Sequence, residues 1–497
     1  MRACPSGTYR ISLRRLLPKA QFLGDGDIYV SACKSDSRKL EPGDLFAALP
    51  GRTVDGQDFI AEAVQRGCSG ILARQPVEGL DLPVCVVPDV RDAFGRVAHA
   101  LAGNPSRQLK VIGVTGTNGK TTTSCLIARM MAKAGHRVAL SGTLGYFDGD
   151  DCRDATLTTP PADELADWLS RSVANGCSHA VMEVSSHALA QARLAGIKLD
   201  AACVTNVSRD HLDYHRTIQD YRLTKSKLLD YLSAEGLSVI NADDPTSAAY
   251  LRFIDGPVLT VGIHSAAEIT ATIVERFASE QTFLLSAGSD TVPVRTRMIG
   301  THHIYNCLGA AAVGLAYGMD LTTIVRGLEA VEYIPGRLHR VECGQPFGVF
   351  VDYAHTPDAL AGSLQALRAV VEGRLICVFG AGGDRDREKR PLMGQAVEAG
   401  AHVAVITSDN PRSEDPREIT CDILDGFENP TEPAILDDRA EAICWALEEA
   451  RPGDCVLIAG KGHETQQIIG NQRLHFDDYE LAQAWLYEKQ PHTPVGP

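Results

Sequence analysis

The stretch "VIGVTGTNGKTTT", residues 111–123, decides the expected fold. It contains an apolar strand, a glycine-rich turn and the beginning of a helix, with Lys120 and Thr121 where the helix begins. The backbone N–H groups of such a turn can surround phosphate oxygens, and the helix N-terminus adds positive potential. The pattern therefore predicts a nucleotide-binding phosphate loop, in which Lys120 reaches the terminal phosphates and the Thr121 hydroxyl holds Mg²⁺.

The glycine spacing of this loop differs from that of the common phosphate loop, which has a glycine at the position of Val114. Here the glycines are Gly113, Gly116 and Gly119. A turn without any ligand is the alternative interpretation. The following segment, residues 122–135, carries apolar residues at helical spacing and ends in a glycine. A strand, a turn and a helix thus follow one another in the order that phosphate binding requires.

Bulk composition excludes several classes of protein. The chain has 497 residues and a net charge of −15, with 44% hydrophobic and 22% charged residues. This length predicts several domains, because a single core does not grow to that size. The acidic balance argues against a nucleic-acid partner, which needs a basic surface. No apolar run reaches the roughly 18 residues that a membrane span needs, and the N-terminus lacks an apolar signal core, so we expect a cytoplasmic protein without a membrane partner.

The cysteines indicate a reducing compartment. The chain has 14 of them, and no two form a C-x-x-C pair. A zinc site or a redox-active pair therefore has little support. Several, including Cys203 and Cys377, lie in apolar strand-like runs, so we expect reduced thiols in the protein core.

The chain divides into three blocks, at residues 1–107, 108–337 and 338–497, each with strand and helix patterns. In the third block, apolar strands end in polar loops, as in "FGVFVDYAHTPD", "LICVFGAGGDRD", "HVAVITSDNPRSED" and "CVLIAGKGHET". Such alternation indicates a parallel sheet whose ligands bind beyond the carboxyl ends of the strands. We therefore predict an α/β protein of three domains: a small α/β domain, a central phosphate-loop ATPase-like domain with a parallel sheet, and a C-terminal Rossmann-like domain.

The variant loop T-G-T-N-G-K-T resembles that of the Mur ligase family, which builds peptidoglycan precursors by joining amino acids to a UDP-sugar peptide. The three-block layout resembles that family over essentially the whole chain. The resemblance implies that the first block recognises the UDP-sugar, the central block binds ATP and the third block binds the incoming amino acid. It also implies an ATP-dependent ligase that forms a peptide bond through an acyl phosphate and releases ADP. We expect a monomer.

Two stretches offer metal ligands. In "HAVMEVSSHALAQARLAG", Glu183 lies at the end of a predicted strand and His187 begins the next helix. A metal-binding pair on one helix is one alternative for these two, and a capping or packing role is another for His187. A carboxylate at a strand end suits Mg²⁺ better, since hard cations prefer oxygen ligands. In "TNVSRDHLDYH", the resemblance implies that His211 binds a second Mg²⁺ together with Glu183, and a solvated turn is the alternative.

A lysine follows these ligands in "YRLTKSKLLD". Mur ligases carbamylate a lysine in this position, which gives an anionic carboxylate that supports Mg²⁺. The tyrosine four residues earlier selects Lys225; Lys227 and a surface helix lysine are the alternatives. Only a neutral amine captures CO₂, so the site must lower the pKa of the lysine. The resemblance thus implies a catalytic set of Lys120, Glu183, His211 and Lys225.

The resemblance implies further binding residues. Those for ATP are Gly116, Thr117, Asn118, Gly119, Lys120, Thr121, Thr122, Asn306, Arg337, Asp352 and His355. Those for the UDP-N-acetylmuramoyl dipeptide are Ser35, Ser37, Arg52, Thr158, Thr159, Ser185, Gln191 and Arg193. Arg340 is an alternative to Arg337, and Leu157 stands where the family often has asparagine.

The strand ends of the third block bear on the amino acid that is added. "DNPR", residues 409–412, matches the signature of family members that add meso-diaminopimelate. This amino acid ends in an ammonium and a carboxylate, whereas lysine ends only in an ammonium. A planar guanidinium can fork onto the extra carboxylate, which gives Arg412 a role only for diaminopimelate. The full set implied for this ligand is Arg385, Asp409, Asn410, Pro411, Arg412, Gly460 and Glu464.

Other functions stay open on the sequence alone. Within the superfamily, the alternatives are a ligase that adds lysine or D-Ala-D-Ala, or a folylpolyglutamate synthetase. From other classes, a phosphate-loop switch or motor and a nucleotide-binding structural module are possible. Both leave the charged strand-end loops of the third block unexplained. "GAGGDR" also resembles a dinucleotide loop, but it lacks the third glycine, which argues against nicotinamide binding.

Overall fold

The structure is a computed structural model that describes residues 10–24, 27–51, 54–77, 79–429 and 431–489. It separates into two units by internal packing. The first unit comprises the chain up to Thr115, His136–Ala202 and Thr224–Leu237. The second comprises Gly116–Gly135, Cys203–Leu223 and the chain from Ser238 onward. These units do not follow the three sequence blocks, whose boundaries stay a prediction.

The elements alternate between helix and strand along much of the chain. The N-terminal block contains β1 (Ile11–Ser12), α1 (Leu13–Leu16), β2 (Gln21–Leu23), β3 (Tyr29–Val30), β4 (Cys33–Lys34), β5 (Leu45–Ala47), α2 (Ile60–Gln65), β6 (Gly70–Ala73), β7 (Val84–Val86) and α3 (Val90–Leu101). The central block begins with β8 (Lys110–Thr115), α4 (Lys120–Lys133), β9 (Val138–Gly142), β10 (Gly145–Phe147), β11 (Cys152–Arg153), α5 (Ala162–Ala174), β12 (His179–Glu183), α6 (Ser186–Ala190) and β13 (Leu199–Val204).

The remaining elements complete the central block and form the C-terminal block. The central block continues with α7 (Leu212–His215), α8 (Ile218–Ser226), β14 (Leu232–Asn241), α9 (Pro245–Tyr250), β15 (Val258–Gly262), β16 (Ile269–Arg276), β17 (Gln281–Ala287), β18 (Asp290–Thr296), α10 (Thr301–Ala316) and α11 (Leu321–Glu329). The C-terminal block contains β19 (His339–Arg340), β20 (Gly348–Asp352), α12 (Pro357–Arg368), β21 (Leu375–Phe379), α13 (Lys389–Gly400), β22 (Val403–Ile406), α14 (Pro416–Leu424), β23 (Ala434–Ile435), α15 (Arg439–Glu449), β24 (Cys455–Ala459), β25 (Gln466–Ile469), β26 (Gln472–His475) and α16 (Asp478–Lys489).

The first unit contains a sheet with the strand order β2-β7-β6-β5-β4, in which β4 to β7 run parallel. Helix α3 covers this sheet. It begins at Asp89, whose carboxylate accepts hydrogen bonds from two backbone N–H groups of the first turn. Its apolar residues Val90, Phe94 and Val97 are buried against the strands. A Cβ at Gly95 would lie 2.7 Å from the carbonyl oxygen of Ala195, so only glycine permits this close approach.

The first unit also contains the strands β11-β10-β9-β12-β8, in that order. Strands β9, β12 and β8 run parallel, and their core is filled by Trp168 and aliphatic side chains. The hydroxyl of Thr115, at the end of β8, donates to the carbonyl oxygen of Val184, just after β12, at 2.7 Å. The carboxyl ends of β8 and β12 therefore share one edge, where Glu183 is the last residue of its strand.

The second unit holds the helix of the phosphate loop. Helix α4 packs against α10 and α11 through small residues. A Cβ at Gly327 would lie 2.6 Å from Cα of Met130, so this glycine allows α11 to approach the backbone of α4. Strands β14, β15 and β16 run parallel, and β16, β17 and β18 form an antiparallel meander.

The C-terminal sheet has the strand order β19-β20-β24-β21-β22-β23. All neighbouring pairs from β20 to β23 are parallel, as the alternating pattern predicts. One apolar cluster fills each face of this sheet, since the parallel strands are covered by helices on both sides. The polar loops after β20, β21, β22 and β24 consequently lie at a single edge.

All 13 cysteines in the described part of the chain are free thiols. Cys203 and Cys377 are buried in strands, as predicted, and burial raises the pKa of the Cys203 thiol to about 12. Cys152 and Cys421 are exposed instead. Within the described residues, we find no helix whose length and apolar character would let it cross a membrane.

Candidate active site

The predicted phosphate loop connects β8 to α4. Gly119 caps the helix with a left-handed backbone, φ +82°, and a Cβ there would lie 2.4 Å from the side-chain oxygen of Asn306. Both facts require glycine. Val114, which replaces the usual first glycine, is buried inside β8. Because β8 continues to Thr115, the loop begins at Gly116, two residues after the position of the usual first glycine.

The loop is held by the segment that follows β13. The N–H of Asn118 donates to the side-chain oxygen of Asn206 at 3.0 Å, and the Thr205 hydroxyl donates to the carbonyl oxygen of Asn118 at 2.6 Å. The Thr117 hydroxyl lies 3.0 Å from that of Tyr221. The Lys120 ammonium donates to two carbonyl oxygens of the loop itself, each at 2.9 Å. Sequence reasoning assigned no role to Thr205, Asn206 or Tyr221, because their partners lie about 90 to 100 residues away.

The structure brings Arg337 to this loop. Its guanidinium donates to the Thr121 hydroxyl at 2.8 Å and stacks 4.7 Å above the ring of Tyr353. Arg340, the alternative, pairs with Glu342 instead. Asn306, also predicted, accepts a hydrogen bond from the Thr123 hydroxyl at 3.2 Å. Arg337 and Asn306 thus contact the first turn of α4, as a nucleotide site requires.

Asp352 is the last residue of β20, and His355 follows in the next loop. The Asp352 carboxylate accepts from the N–H groups of Leu338 and Ala354, at 2.6 and 2.8 Å, so it fixes the turn that carries Arg337. Burial raises the pKa of Asp352. Burial also lowers the pKa of His355 to about 4, which keeps its imidazole neutral near pH 7. In this structure, Asp352 therefore positions Arg337 by holding the backbone of the turn that carries it.

His211 has a left-handed backbone, φ +54°, which is uncommon for a residue other than glycine. It precedes α7 and lies 3.4 Å from the buried carboxylate of Asp210. Lys389 approaches the other oxygen of that carboxylate at 3.9 Å. Although burial alone would raise it, the pKa of Asp210 is held well below its usual range by His211 and Lys389. Backbone strain of this kind is concentrated at functional sites.

Glu183 belongs to the first unit and is buried at the end of β12. One carboxylate oxygen accepts from the N–H of Thr143 at 2.8 Å, and the other accepts from its hydroxyl at 3.1 Å. A Cβ at Gly142 would lie 2.1 Å from the carboxylate, so glycine is needed there too. Since β12 ends at Glu183 and His187 lies on α6, the alternative of a metal pair on one helix is wrong.

Most of the residues predicted for the UDP-sugar peptide surround Thr159. Its hydroxyl donates to the carbonyl oxygen of Glu183 at 2.8 Å and accepts from the N–H of Ser185 at 3.0 Å. Arg193 donates to the carbonyl oxygen of Thr159 and, at 2.8 Å, to the side chain of Gln191. Thr158 contacts Thr143 through its hydroxyl, at 3.3 Å. Leu157, which replaces the frequent asparagine, is partly exposed.

The remaining residues predicted for this substrate lie in the N-terminal block. Ser37 is buried and donates to Glu62 at 2.7 Å, while Ser35 is half-buried. Arg52 lies outside the described residues.

The two lysines of "YRLTKSKLLD" have different environments. Lys225, on α8, is 1% exposed, whereas Lys227 is exposed. Burial of an amine favours its neutral form, which carbamylation requires. The described residues contain no cluster of three or more histidine, cysteine or acidic side chains placed to hold a metal ion.

The polar loops of the C-terminal sheet form a second site. Asn410 donates to the Glu464 carboxylate at 2.8 Å, and the fully buried Lys461 ammonium lies 3.3 Å from the Asn410 oxygen. A Cβ at Gly460, φ +115°, would lie 2.5 Å from the Asp409 carboxylate. The pKa of Glu464 is raised by burial and by Asp409. These residues present two acidic groups to a cationic ligand.

Two arginines, Arg385 and Arg412, also lie near this second site. Arg412 has a left-handed backbone, φ +53°, and donates to the carbonyl oxygen of Gly383 at 2.6 Å. A Cβ at Gly383 would lie 1.8 Å from the carbonyl oxygen of Pro411, so the two loops touch. Burial and the neighbouring Arg385 lower the pKa of Arg412. The two arginines and the carboxylates of Asp409 and Glu464, with the Lys461 ammonium beside Glu464, give the site charges of both signs. Such a site suits a ligand that carries both a carboxylate and an ammonium.

A phosphate loop, carboxylate-bearing strand ends and a parallel C-terminal sheet with a charged edge define a multidomain nucleotide-binding α/β enzyme. Three family models match this chain: "Mur ligase family, catalytic domain" at residues 29–100, "Mur ligase middle domain" at 114–314 and "Mur ligase, glutamate ligase domain" at 336–462. The chain therefore belongs to the Mur ligase family. The predicted family and its ligase class are confirmed, and the match over all three parts favours a ligase over a switch or a structural module.

Similar proteins support the same conclusion. The UDP-N-acetylmuramoyl-L-alanyl-D-glutamate–2,6-diaminopimelate ligase of Geobacillus thermodenitrificans is 43% identical over 472 residues, which cover 94% of this chain and 96% of that protein. The ligase of the same name from Gloeobacter violaceus is 42% identical over 93% of this chain and 95% of its own length. A solved structure of a ligase of this name has a TM-score of 0.69 at 32% identity, covering 97% of this chain and 99% of the other. The predicted α/β fold class is thereby confirmed.

Proposed function

We propose that this protein is an ATP-dependent ligase that adds meso-diaminopimelate to UDP-N-acetylmuramoyl-L-alanyl-D-glutamate in the cytoplasm, as a step of peptidoglycan precursor synthesis. The observation that carries the proposal is that Arg412 lies near Arg385 and near the carboxylates of Asp409 and Glu464. A site built for lysine would have no use for the two cations. The names of the similar ligases support the same substrate.

The far end of diaminopimelate fits the charges of this site. A guanidinium can donate two parallel hydrogen bonds to a carboxylate, which gives both strength and orientation. The ammonium would be bound by Glu464 and by the carbonyl oxygen of Gly460. Lys461 and Asn410 already hold the Glu464 carboxylate, so little ordering is needed when the ligand arrives.

The first chemical step is the activation of the substrate's D-Glu side chain. An oxygen of its γ-carboxylate attacks the γ-phosphorus of ATP, the bond to the bridging oxygen breaks, and ADP leaves. The acyl phosphate has a leaving group that a carboxylate lacks. Lys120 would stabilise the phosphate oxygens after exchanging its present loop carbonyl partners for them. Arg337 and Asn306 would bind the nucleotide beside the same helix.

The second step forms the peptide bond. The neutral α-amine of diaminopimelate attacks the acyl carbonyl carbon, phosphate departs, and the amine loses a proton. Arg193, Gln191 and Thr159 would orient the muramoyl peptide so that its carboxylate meets the nucleotide. The residues of this chain thus act mainly by binding and orientation.

Two Mg²⁺ ions are part of the proposal. The donors that the family resemblance implies are the Thr121 hydroxyl, the Glu183 carboxylate, the His211 imidazole and a carbamate on Lys225. Three of these ligands present hard oxygens, which suit Mg²⁺, and hydrogen bonds from Thr143 already fix the Glu183 carboxylate. When bound, Mg²⁺ neutralises the charge of the phosphate oxygens.

The test is ADP release by the purified protein with the muramoyl dipeptide, ATP and Mg²⁺. We expect release that depends on diaminopimelate and that is at least about tenfold weaker with lysine, D-Ala-D-Ala or glutamate. With the γ-carboxylate labelled by ¹⁸O, one label should appear in the released phosphate. ADP release that needs neither the dipeptide nor an amino acid would refute the proposal and favour a phosphate-loop switch.

A further inference from the structure

The two arginines of the amino-acid site lie on different loops and repel each other. Arg385 follows β21 and Arg412 follows β22, and the charge of Arg385 contributes to lowering the pKa of Arg412. Two like charges held together in the absence of their ligand need a force that opposes their separation. The hydrogen bond from Arg412 to Gly383 provides only part of it.

The residues just after Arg412 make further contacts that help to keep the two arginines together. The Glu414 carboxylate accepts from the N–H of Asp384 at 2.5 Å, and the Ser413 hydroxyl donates to the Asp384 carboxylate at 2.6 Å. Asp384 immediately precedes Arg385 and has a left-handed backbone, φ +55°. The side chains that follow one arginine therefore fix the residue that precedes the other.

Arg390 holds these contacts in place through its own hydrogen bonds. It is fully buried and donates to both oxygens of Glu414, each at 2.9 Å. It also donates to Asp422 on α14 at 2.8 Å and to the carbonyl oxygen of Gly382 at 3.3 Å. A buried arginine is stable only when its partners are well placed, so Arg390 holds Glu414 in one position. We refer to Arg390, Glu414 and Asp384 as the loop clamp.

Glu464, which would bind the ligand's ammonium, makes its described side-chain hydrogen bonds outside the loop clamp. Asn410 does touch the clamped loop, since its carbonyl oxygen accepts from the N–H of Gly383 at 2.9 Å. Glu464 is held by Asn410 and Lys461, and the described contacts of Lys461 are with Asn410, Glu464 and Gln466. Loss of the clamp would therefore disturb the arginine pair more than the acidic pair. This separation makes the two halves of amino-acid recognition experimentally distinguishable.

We propose that Arg390 and Glu414 are positioning residues that set the spacing of Arg385 and Arg412, and thereby the preference for an amino acid with a distal carboxylate. The inference rests on the proposed function and adds to it two residues that touch no substrate. In physical terms, the clamp assembles the carboxylate fork before the ligand arrives, so that binding does not have to overcome the mutual repulsion of the arginines.

The experiment compares Glu414→Gln, Arg390→Lys and the control Arg387→Met. Glu414→Gln keeps the volume of the side chain and removes its charge. Arg387 also bonds to Asp422 but is half exposed and makes no bond to Glu414, which makes it a matched control. For each protein, kcat and KM are measured with diaminopimelate, with lysine at high concentration and with ATP, and the melting temperature is recorded.

For Glu414→Gln we expect KM for diaminopimelate to rise at least about tenfold, with kcat/KM for lysine and KM for ATP changed by less than about twofold. Arg390→Lys keeps the charge but not the fork and should show the same selective effect. Arg387→Met should leave the ratio of the two amino acids unchanged.

Two results would overturn the inference. One is a folded Glu414→Gln protein whose KM for diaminopimelate is unchanged. The other is an equal loss with both amino acids, which indicates a structural role only. A wild-type protein that uses lysine but not diaminopimelate would instead refute the proposed function, and that result is visible before any variant is made.

Discussion

Replacing Arg412 by alanine is expected to weaken the use of diaminopimelate selectively. Alanine keeps the Cβ, so the left-handed backbone at φ +53° is no more strained than before. The change removes the guanidinium and its bond to the Gly383 carbonyl oxygen. A hydrogen bond to a charged group contributes roughly 1.5–3 kcal/mol, so a two-point contact to the ligand contributes roughly 3 kcal/mol or more. At about 1.4 kcal/mol per factor of ten, kcat/KM for diaminopimelate should fall about a hundredfold.

The assay is ADP release at varied diaminopimelate and, separately, varied lysine. Lysine lacks the carboxylate, so its kcat/KM should change by less than about threefold. The control is Arg417→Ala, because Arg417 is exposed and its side chain makes no hydrogen bond or ion pair with any residue that the structure describes. An equal fall for both amino acids, or no fall for diaminopimelate, would refute the reasoning that assigns Arg412 to the carboxylate.

Four further predictions concern the nucleotide site, the lysine that we propose to be carbamylated, and stability. Gly119→Ala places alanine at φ +82°, which costs roughly 1–2 kcal/mol, so KM for ATP should rise about tenfold while the melting temperature falls. Lys225→Arg should abolish ADP release, because arginine cannot form the carbamate, whereas the exposed Lys227→Arg should retain it; equal activity of both would exclude the assignment. Arg439→Met removes the ion-pair partner of the fully buried Asp478 carboxylate. It should lower the free energy of unfolding, measured with urea, by about 3–5 kcal/mol. Burial lowers the pKa of His99 to about 4, so between about pH 6.5 and 4 the unfolded chain binds a proton that the folded chain does not, and the free energy of unfolding falls as the pH falls through that window. His99→Met should reduce the loss of unfolding free energy between pH 7 and 5 by about 2 kcal/mol. An unchanged pH dependence of the unfolding free energy would contradict this.

The sequence allowed the local parts of this site to be predicted. The phosphate loop could be recognised because strand, turn and helix are consecutive, and its glycines are demanded by backbone geometry within a few residues. Glu183 was placed at a strand end by the switch from an apolar run to a polar one, and β12 does end there. Arg412 and its neighbours stand in one short motif after β22. In each case the chemistry lies within one loop.

The other contacts of the site depend on which strands become neighbours in the sheet. Thr143, which fixes the Glu183 carboxylate, lies 40 residues away from it in the chain and reaches it only because β9 pairs with β12. Asn206 reaches the phosphate loop across 88 residues. Arg390 stands 24 residues before Glu414 in a stretch that looks like an ordinary charged surface, although it is fully buried. A single sequence does not reveal strand order, so these partners had no local signal.

The distribution of thiols gives this protein a practical use. Cys152 belongs to the first unit and Cys421 to the second, and both are exposed, whereas most of the other described cysteines are buried. Maleimide dyes react with the accessible thiolate, so the native chain should accept a dye at each of these two positions once Cys4, which lies outside the described residues, is replaced by serine. A dye at each position would then report on the surroundings of its own unit during turnover, without new labelling sites being introduced.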